Sequence, residues 1–86
     1  MVFRQMINGS ITIGRSPSKN LIVIDYDKTI SGQHCVITYR DGMFYILDSG
    51  SSNGTFVNNE KINGERNIRN NDIITVGQTS FSFSGE

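Results

Sequence analysis

Tryptophan and alanine are absent from the sequence, and cysteine and proline each occur once. Alanine is the strongest helix former, whereas the abundant isoleucine and valine favour strands, so the composition disfavours helices. The single cysteine, Cys35, excludes an internal disulfide, and the fold must be stable without such a cross-link. With 86 residues, the chain predicts one domain spanning residues 1–86, which has few residues with which to build a core.

Neither a charge excess nor a long hydrophobic run is present. The formal net charge is zero, which argues against a nucleic-acid-binding surface and restricts any anion site to a small, local one. No apolar run approaches the ~20 residues of a membrane span, and no signal peptide is visible. We expect no membrane contact by this domain. We also expect a cytoplasmic location, either on its own or as the cytoplasmic portion of a larger, membrane-associated protein.

Short β-rich segments recur roughly every eight to twelve residues, with Asn-Gly, Asp-Gly and other turn residues between them, as in all-β sandwiches and barrels. Asp41-Gly42 predicts a hairpin turn, and Asn71 suits a left-handed turn position. The pattern predicts about ten short, mainly antiparallel strands, near residues 2–7, 10–13, 21–24, 34–40, 43–47, 55–58, 61–62, 67–68, 73–76 and 79–83.

The stretch from Ser31 to Thr55 contains two of these strands, joined by Asp41-Gly42, with a polar loop on either side. Because the outer ends of a hairpin lie side by side, both polar loops should project from the same end of the sheet. We expect this end to be the working face of the domain.

Four polar side chains could form an anion site there: Arg15, Ser31, Ser52 and Asn53. Arginine offers a rigid fork of donors that matches phosphate oxygens, and a serine hydroxyl with loop N–H groups can complete a small pocket. The amide of Asn53 can both donate to and accept from a peptide backbone. These residue types are also common in ordinary solvated loops, which is the alternative interpretation.

An enzyme is the less favoured hypothesis. Consecutive strand residues point to opposite faces, so His34 and Cys35 cannot form a nucleophile–base pair. Cys35 shares a face with Ile37 and Tyr39, which predicts a buried and inert thiol. One histidine and one cysteine also make a zinc site improbable. We therefore expect no catalytic residue, no metal and no cofactor.

Four blocks, in order along the chain, resemble the forkhead-associated (FHA) domain, a β-sandwich that binds phosphothreonine peptides. They are Gly14-Arg15, the Ser-x-x-His segment Ser31–His34, the Asp-x-x-Ser-x-Asn-Gly-Thr segment Asp48–Thr55 and the Asn71–Gly77 segment. The resemblance runs from about Val2 to Phe83.

The resemblance implies a non-catalytic signalling or adaptor module. Arg15 and Ser31 would hold the phosphate, Ser52 would add a contact from its loop, and Asn53 would hold the peptide main chain. The residues that would support the site structurally are Gly14, His34, Gly54 and Thr55.

The partner implied by the resemblance is a phosphothreonine protein or peptide made by a Ser/Thr kinase. By the same analogy, we expect residues 1–86 to be excised from a larger protein. The use of Ile, Asn and Lys, whose codons are rich in A and T, suggests an AT-rich bacterial genome. We expect a monomer. Dimerisation through an exposed edge strand is the alternative.

Three departures from the family pattern bear on this expectation. Gly32 stands where the family usually has Arg or Asn, Ser49 replaces a common aliphatic residue, and the family's first strand is missing. Loss of one charged hydrogen bond at Gly32 would cost about 1.5–3 kcal/mol of binding free energy. Gly32 and the missing first strand motivate an alternative hypothesis, a phosphate-independent interaction or assembly module on the same fold.

Overall fold

The computed structural model describes residues 9–84, and this part of the chain forms nine strands and no helix. The strands are β1 (Gly9–Gly14), β2 (Ile22–Val23), β3 (Cys35–Arg40), β4 (Met43–Asp48), β5 (Thr55–Val57), β6 (Glu60–Lys61), β7 (Arg66–Ile68), β8 (Ile73–Val76) and β9 (Thr79–Ser82). One sheet has the order β2-β1-β3-β4-β7 and the other β6-β5-β8-β9. The predicted all-β sandwich is confirmed.

Some predictions concern residues outside this range. The strand expected over residues 2–7 lies outside the described residues, as does Asn8, which begins an Asn-Gly pair typical of a turn. The expectation that the family's first strand is missing also concerns residues outside this range. Within residues 9–84, no helix has the length and hydropathy that crossing a membrane would require.

The core between the sheets consists mostly of isoleucine. Alternation along β1 and β3 places every second side chain inward, as predicted, so that Ile11 and Ile13 are buried while Ser10 is exposed. β-branched side chains pack well on a pleated surface, which explains how a short chain without tryptophan fills this space. The buried apolar residues are Ile11, Ile13, Ile24, Ile30, Cys35, Ile37, Ile46, Val57, Ile62, Ile68, Ile74, Val76, Phe81 and Phe83.

The hairpin of β3 and β4 is the centre of the larger sheet. Its register runs from Cys35 opposite Asp48 to Arg40 opposite Met43. The two turn residues, Asp41 and Gly42, both have positive φ angles, of 54° and 76°. This is the type I′ geometry that matches the twist of the flanking strands, and it confirms the predicted turn.

The prediction for residues 21–24 was only partly right. The strand there contains just Ile22 and Val23, and it runs parallel to β1, with Ile13 opposite Ile22. Leu21 is 70% exposed, so this apolar run is not a fully buried strand. The reason is topological: the loop from Arg15 brings the chain back along the outer edge of β1, where one side of the strand faces solvent.

Two asparagines form a turn that the sequence did not predict. Asn58 and Asn59 have φ angles of 51° and 68° and connect β5 to β6 as a two-residue hairpin, although Asn58 was expected to end a strand. Asn71 has a φ of 74°, the left-handed conformation predicted for it.

Candidate functional site

The polar loops on either side of the β3–β4 hairpin meet at one end of the sandwich, as predicted. Cys35 and Asp48 lie opposite each other where the two strands leave the loops. The Ser52 N–H donates to Ser31 Oγ at 3.0 Å, which joins the two loops directly. The loop after β1 joins them as well, because the Arg15 N–H donates to the Ser31 carbonyl, also at 3.0 Å.

Arg15 is held in place through its Nε atom. Nε donates to the carbonyl of Ile30 at 3.1 Å. The two terminal nitrogens of the guanidinium make no hydrogen bond to any residue between 9 and 84, and Arg15 is exposed. The side chain is thus oriented by the protein, while its two outer nitrogens can still bind an anion.

The Ser31 hydroxyl is oriented in a similar way. Its oxygen accepts the Ser52 N–H, which leaves its own hydrogen available for a further acceptor. Ser52 is exposed, and its side chain makes no hydrogen bond to the described part of the chain. Two hydroxyls therefore flank the point where the loops join.

Asn53 is anchored to the segment before Ser31. Its Nδ2 atom donates to the carbonyl of Thr29 at 2.8 Å. This contact uses one of the two amide hydrogens and leaves the other, together with Oδ1, free to bind an extended peptide backbone.

His34 lies beneath the loops and is fully buried. Its Nδ1 accepts the Ser31 N–H at 3.1 Å, and its Nε2 lies 2.8 Å from the Gly54 carbonyl. A carbonyl can only accept, so Nε2 carries the hydrogen and the ring is the neutral Nε2–H tautomer. Both ring nitrogens are occupied in holding the two loops together, which leaves neither for acid–base chemistry.

Gly14 allows the loop after β1 and the loop before β3 to approach each other. A Cβ atom at this position would lie 2.3 Å from the Gly32 carbonyl oxygen and 2.7 Å from Asn20 Nδ2. The Asn20 side chain fills this junction, donating to the carbonyls of Ser16 and Gly32 at 2.8 and 2.5 Å. Any residue larger than glycine would push these loops apart.

Asp48, the last residue of β4, organises the loop between β4 and β5. Its carboxylate accepts hydrogen bonds from the Gly50 and Ser51 N–H groups at 3.0 and 2.9 Å, from the Ser51 hydroxyl, and from the buried Thr55 hydroxyl at 2.7 Å. Partial burial raises the pKa of Asp48, but these hydrogen bonds outweigh it and the pKa lies below its usual value.

Asp27 is a buried residue that the sequence motifs did not single out. Its side chain is 8% exposed. One oxygen accepts the Thr29 N–H at 2.9 Å and the Thr29 hydroxyl, and the other accepts the Gln78 N–H at 2.8 Å and the Thr79 hydroxyl at 2.7 Å. Hydrogen bonds from Thr29 and Thr79, opposed by burial, hold the pKa of Asp27 well below its usual range.

An open depression of about 260 Å³ lies beside Arg15 and is also lined by Ser16, Pro17 and Gly32. A side chain at position 32 would occupy part of it. Because glycine stands there, Arg15 is the charged residue that lines this depression.

Cys35 has no part in the arrangement at the surface. It is buried as predicted, and burial, with the nearby charge of Asp48, raises the pKa of the thiol to about 12. A thiol that stays protonated is a poor nucleophile. Residues 9–84 contain no group of three or more His, Cys, Asp or Glu side chains that could hold a metal ion.

Comparison with known proteins gives a consistent result. Residues 11–77 match the family model of the FHA domain. The oxoglutarate dehydrogenase inhibitor of Corynebacterium diphtheriae is 35% identical over 72 residues, covering 84% of this chain and 48% of that protein. The chain spans about half or less of the length of the curated relatives that it matches.

Two solved structures are similar over most of the chain. The FHA domain of a Chlamydia trachomatis protein has a TM-score of 0.82 at 31% identity, and the match covers 87% of this chain and 76% of that one. Mycobacterium tuberculosis EmbR, solved in complex with a low-affinity phosphopeptide, has a TM-score of 0.80 at 31% identity, covering 86% of this chain and 19% of that one.

Proposed function

Since the chain belongs to the FHA domain family, whose members are phosphothreonine-binding signalling modules, we propose that it binds phosphothreonine in a partner protein through Arg15, Ser31, Ser52 and Asn53. The family is generally a non-catalytic binding module, so the domain would act by bringing proteins together. The partner would be the product of a Ser/Thr kinase, met in the cytoplasm.

The orientation of Arg15 supports the proposal most strongly. Its Nε is bound to the Ile30 carbonyl, and its two terminal nitrogens are free of hydrogen bonds within residues 9–84. A preorganised arginine loses little side-chain freedom on binding an anion and can form two parallel hydrogen bonds with it. The Ser31 hydroxyl hydrogen and the Ser52 hydroxyl lie where the adjoining loops meet and would bind further phosphate oxygens.

Asn53 would supply selectivity for a peptide over a free phosphate ion. Its amide is fixed by the Thr29 carbonyl and retains one donor and one acceptor. An extended peptide presents an N–H and a carbonyl at each residue, which that pair of groups would satisfy. The phosphate and the main chain next to it would thus be held by different loops.

The test is a titration of one phosphothreonine peptide and its unphosphorylated twin against the domain and two variants. We expect a marked preference for the phosphopeptide. Arg15→Ala should abolish this preference, because each hydrogen bond to a charged group contributes about 1.5–3 kcal/mol, or roughly tenfold to a hundredfold in affinity.

Lys19→Ala is the matched control. Lys19 is exposed and lies in the same loop, so its removal changes the net charge equally. We expect a much smaller effect from it. Equal losses in the two variants would contradict the placement of the phosphate, and equal affinity for the two peptides would favour the phosphate-independent interaction module instead.

A further inference from the structure

Lys61 lies at the border of the proposed site, although it comes from a different part of the chain. It is on β6, which pairs with β5 so that Lys61 stands opposite Phe56. The end of its side chain lies over Gly54, where a Cβ atom on Gly54 would be 2.7 Å from Lys61 Cε and 3.5 Å from Nζ. The ammonium group is therefore beside the residue that follows Asn53.

The backbone of Gly54 makes this position possible. Its φ is +84°, a conformation that other residues rarely adopt. The absent side chain leaves a surface on which the aliphatic part of Lys61 rests, and this fixes the ammonium near the loop. Long cationic side chains commonly pack their methylene groups in this way while the charged end remains in water.

The charge of Lys61 is not neutralised within the described residues. The ion pairs between residues 9 and 84 are Arg40–Glu65 and Arg66–Glu60, the latter at 2.9 Å. Glu60, the neighbour of Lys61 in the chain, is thus already paired. Asp48, which ends β4, already accepts hydrogen bonds from Gly50, Ser51 and Thr55.

We propose that Lys61 determines specificity by selecting an acidic side chain close to the phosphothreonine. The proposal rests on the proposed function, because a peptide held by Asn53 must pass next to Gly54 and hence next to this ammonium. The ligand class is then an acidic phosphothreonine peptide. Exposed ion pairs are weak, so the preference should be about two- to fivefold and should diminish at high salt.

The test uses a set of phosphothreonine peptides on an alanine background with one glutamate placed in turn at each flanking position. The wild-type domain should bind one or two of these peptides about two- to fivefold more tightly than the all-alanine peptide. Lys61→Gln should remove this gain without weakening binding of the all-alanine peptide, and Lys61→Arg should keep it. Lys61→Glu should reverse the preference when lysine replaces glutamate at the same position.

Arg69→Gln is the control for loss of one exposed positive charge. Arg69 lines a separate depression with Gly42 and Met43, at the other end of the β3–β4 hairpin. The Arg69→Gln variant should therefore keep the wild-type preference for glutamate. The role of Lys61 would be overturned if the glutamate preference persisted in Lys61→Gln. It would also be overturned if the wild-type domain bound phosphopeptides but preferred glutamate at no position. If the wild-type domain bound phosphorylated and unphosphorylated peptides equally well, the proposed function itself would be overturned.

Discussion

At position 32, the backbone would accept a side chain that the sequence does not supply. Gly32 does not have a positive φ angle, and an added Cβ would have its nearest neighbour, Ser16 Cβ, at an ordinary contact distance of 3.9 Å. The contribution of this residue to the loop is its carbonyl oxygen, which accepts from Asn20 and from the Ser16 N–H. Those contacts do not depend on the side chain.

Gly32→Arg should therefore increase phosphopeptide affinity without disturbing the fold. The new guanidinium would enter the depression beside Arg15 and provide a second positive charge there. We expect about a tenfold gain in affinity, the value of one charged hydrogen bond. Titration of the phosphopeptide measures it, with Gly32→Ala as the control for loss of backbone freedom. If the arginine variant bound no better than the alanine variant, the phosphate would not lie next to Gly32.

Among the structural elements, the segment from Asp27 to Ile30 connects parts of the site that are distant in sequence. Its Thr29 carbonyl holds Asn53, and its Ile30 carbonyl holds Arg15. Asp27 in turn fixes the segment to the turn between β8 and β9 through Gln78 and Thr79. The segment thus orients two of the proposed binding groups, and Asp27 ties it to the sheet that contains β8 and β9.

Asp27→Asn should weaken phosphopeptide binding although Asp27 does not contact the peptide. An asparagine keeps the shape but places an NH2 group against donors, so that two of the four hydrogen bonds are lost. We expect a lower melting temperature. We also expect a lower affinity for the phosphopeptide, even when binding is measured well below that melting temperature. Asp25→Asn is the matched control, because Asp25 is exposed and makes no hydrogen bond within residues 9–84. An unchanged affinity in Asp27→Asn would show that the segment does not orient the site.

Elements with a local chemical cause were predictable from the sequence. The alternation in β1 and β3 and the Asp41-Gly42 turn depend on neighbouring residues, and the structure has them as expected. The parallel pairing of β2 depends on where a loop returns the chain, and the Asn58-Asn59 turn depends on which of several asparagines takes a left-handed conformation. Neither is determined by a short stretch of sequence.

The candidate site divides in the same way. Arg15, Ser31, Ser52 and Asn53 could be proposed from residue type and from the order of the family motifs. The contacts that orient them could not, because the Ile30 and Thr29 carbonyls are backbone groups with no residue-specific signal. Asp27 could not have been identified, because it stands in a polar segment between Tyr26 and Lys28, and two of its partners, Gln78 and Thr79, lie about fifty residues further along the chain.

For the molecule as a whole, the hydrogen-bonded carboxylates of Asp27 and Asp48 predict that the folded state is destabilised by acid. Asp27 and Asp48 both have pKa values below the usual 3.8 for an aspartate. A group with a lowered pKa in the folded state stabilises the protein above its unfolded pKa, and this stability is lost as the pH falls through the folded value. The melting temperature should be nearly constant down to about pH 5 and then fall steeply.

Thermal unfolding measured at intervals from pH 7 to pH 2.5 provides the test. Asp27→Asn should start from a lower melting temperature at pH 7 and show a shallower fall, because one of the two groups no longer titrates. Asp25→Asn should reproduce the wild-type slope. A melting temperature that rises on acidification would contradict the direction of these pKa shifts.

The three segments that form the site are joined by hydrogen bonds that involve backbone groups, from Arg15 to Ser31, from Ser52 to Ser31 and from Asn53 to Thr29. An unfolded chain cannot reproduce these contacts, so the ligand would bind the folded state alone. By mass action, a phosphopeptide at a hundred times its dissociation constant would then add about 2.7 kcal/mol to the free energy of unfolding. If the domain binds a phosphothreonine partner as proposed, the kinase that phosphorylates that partner would also govern how long the domain survives proteolysis.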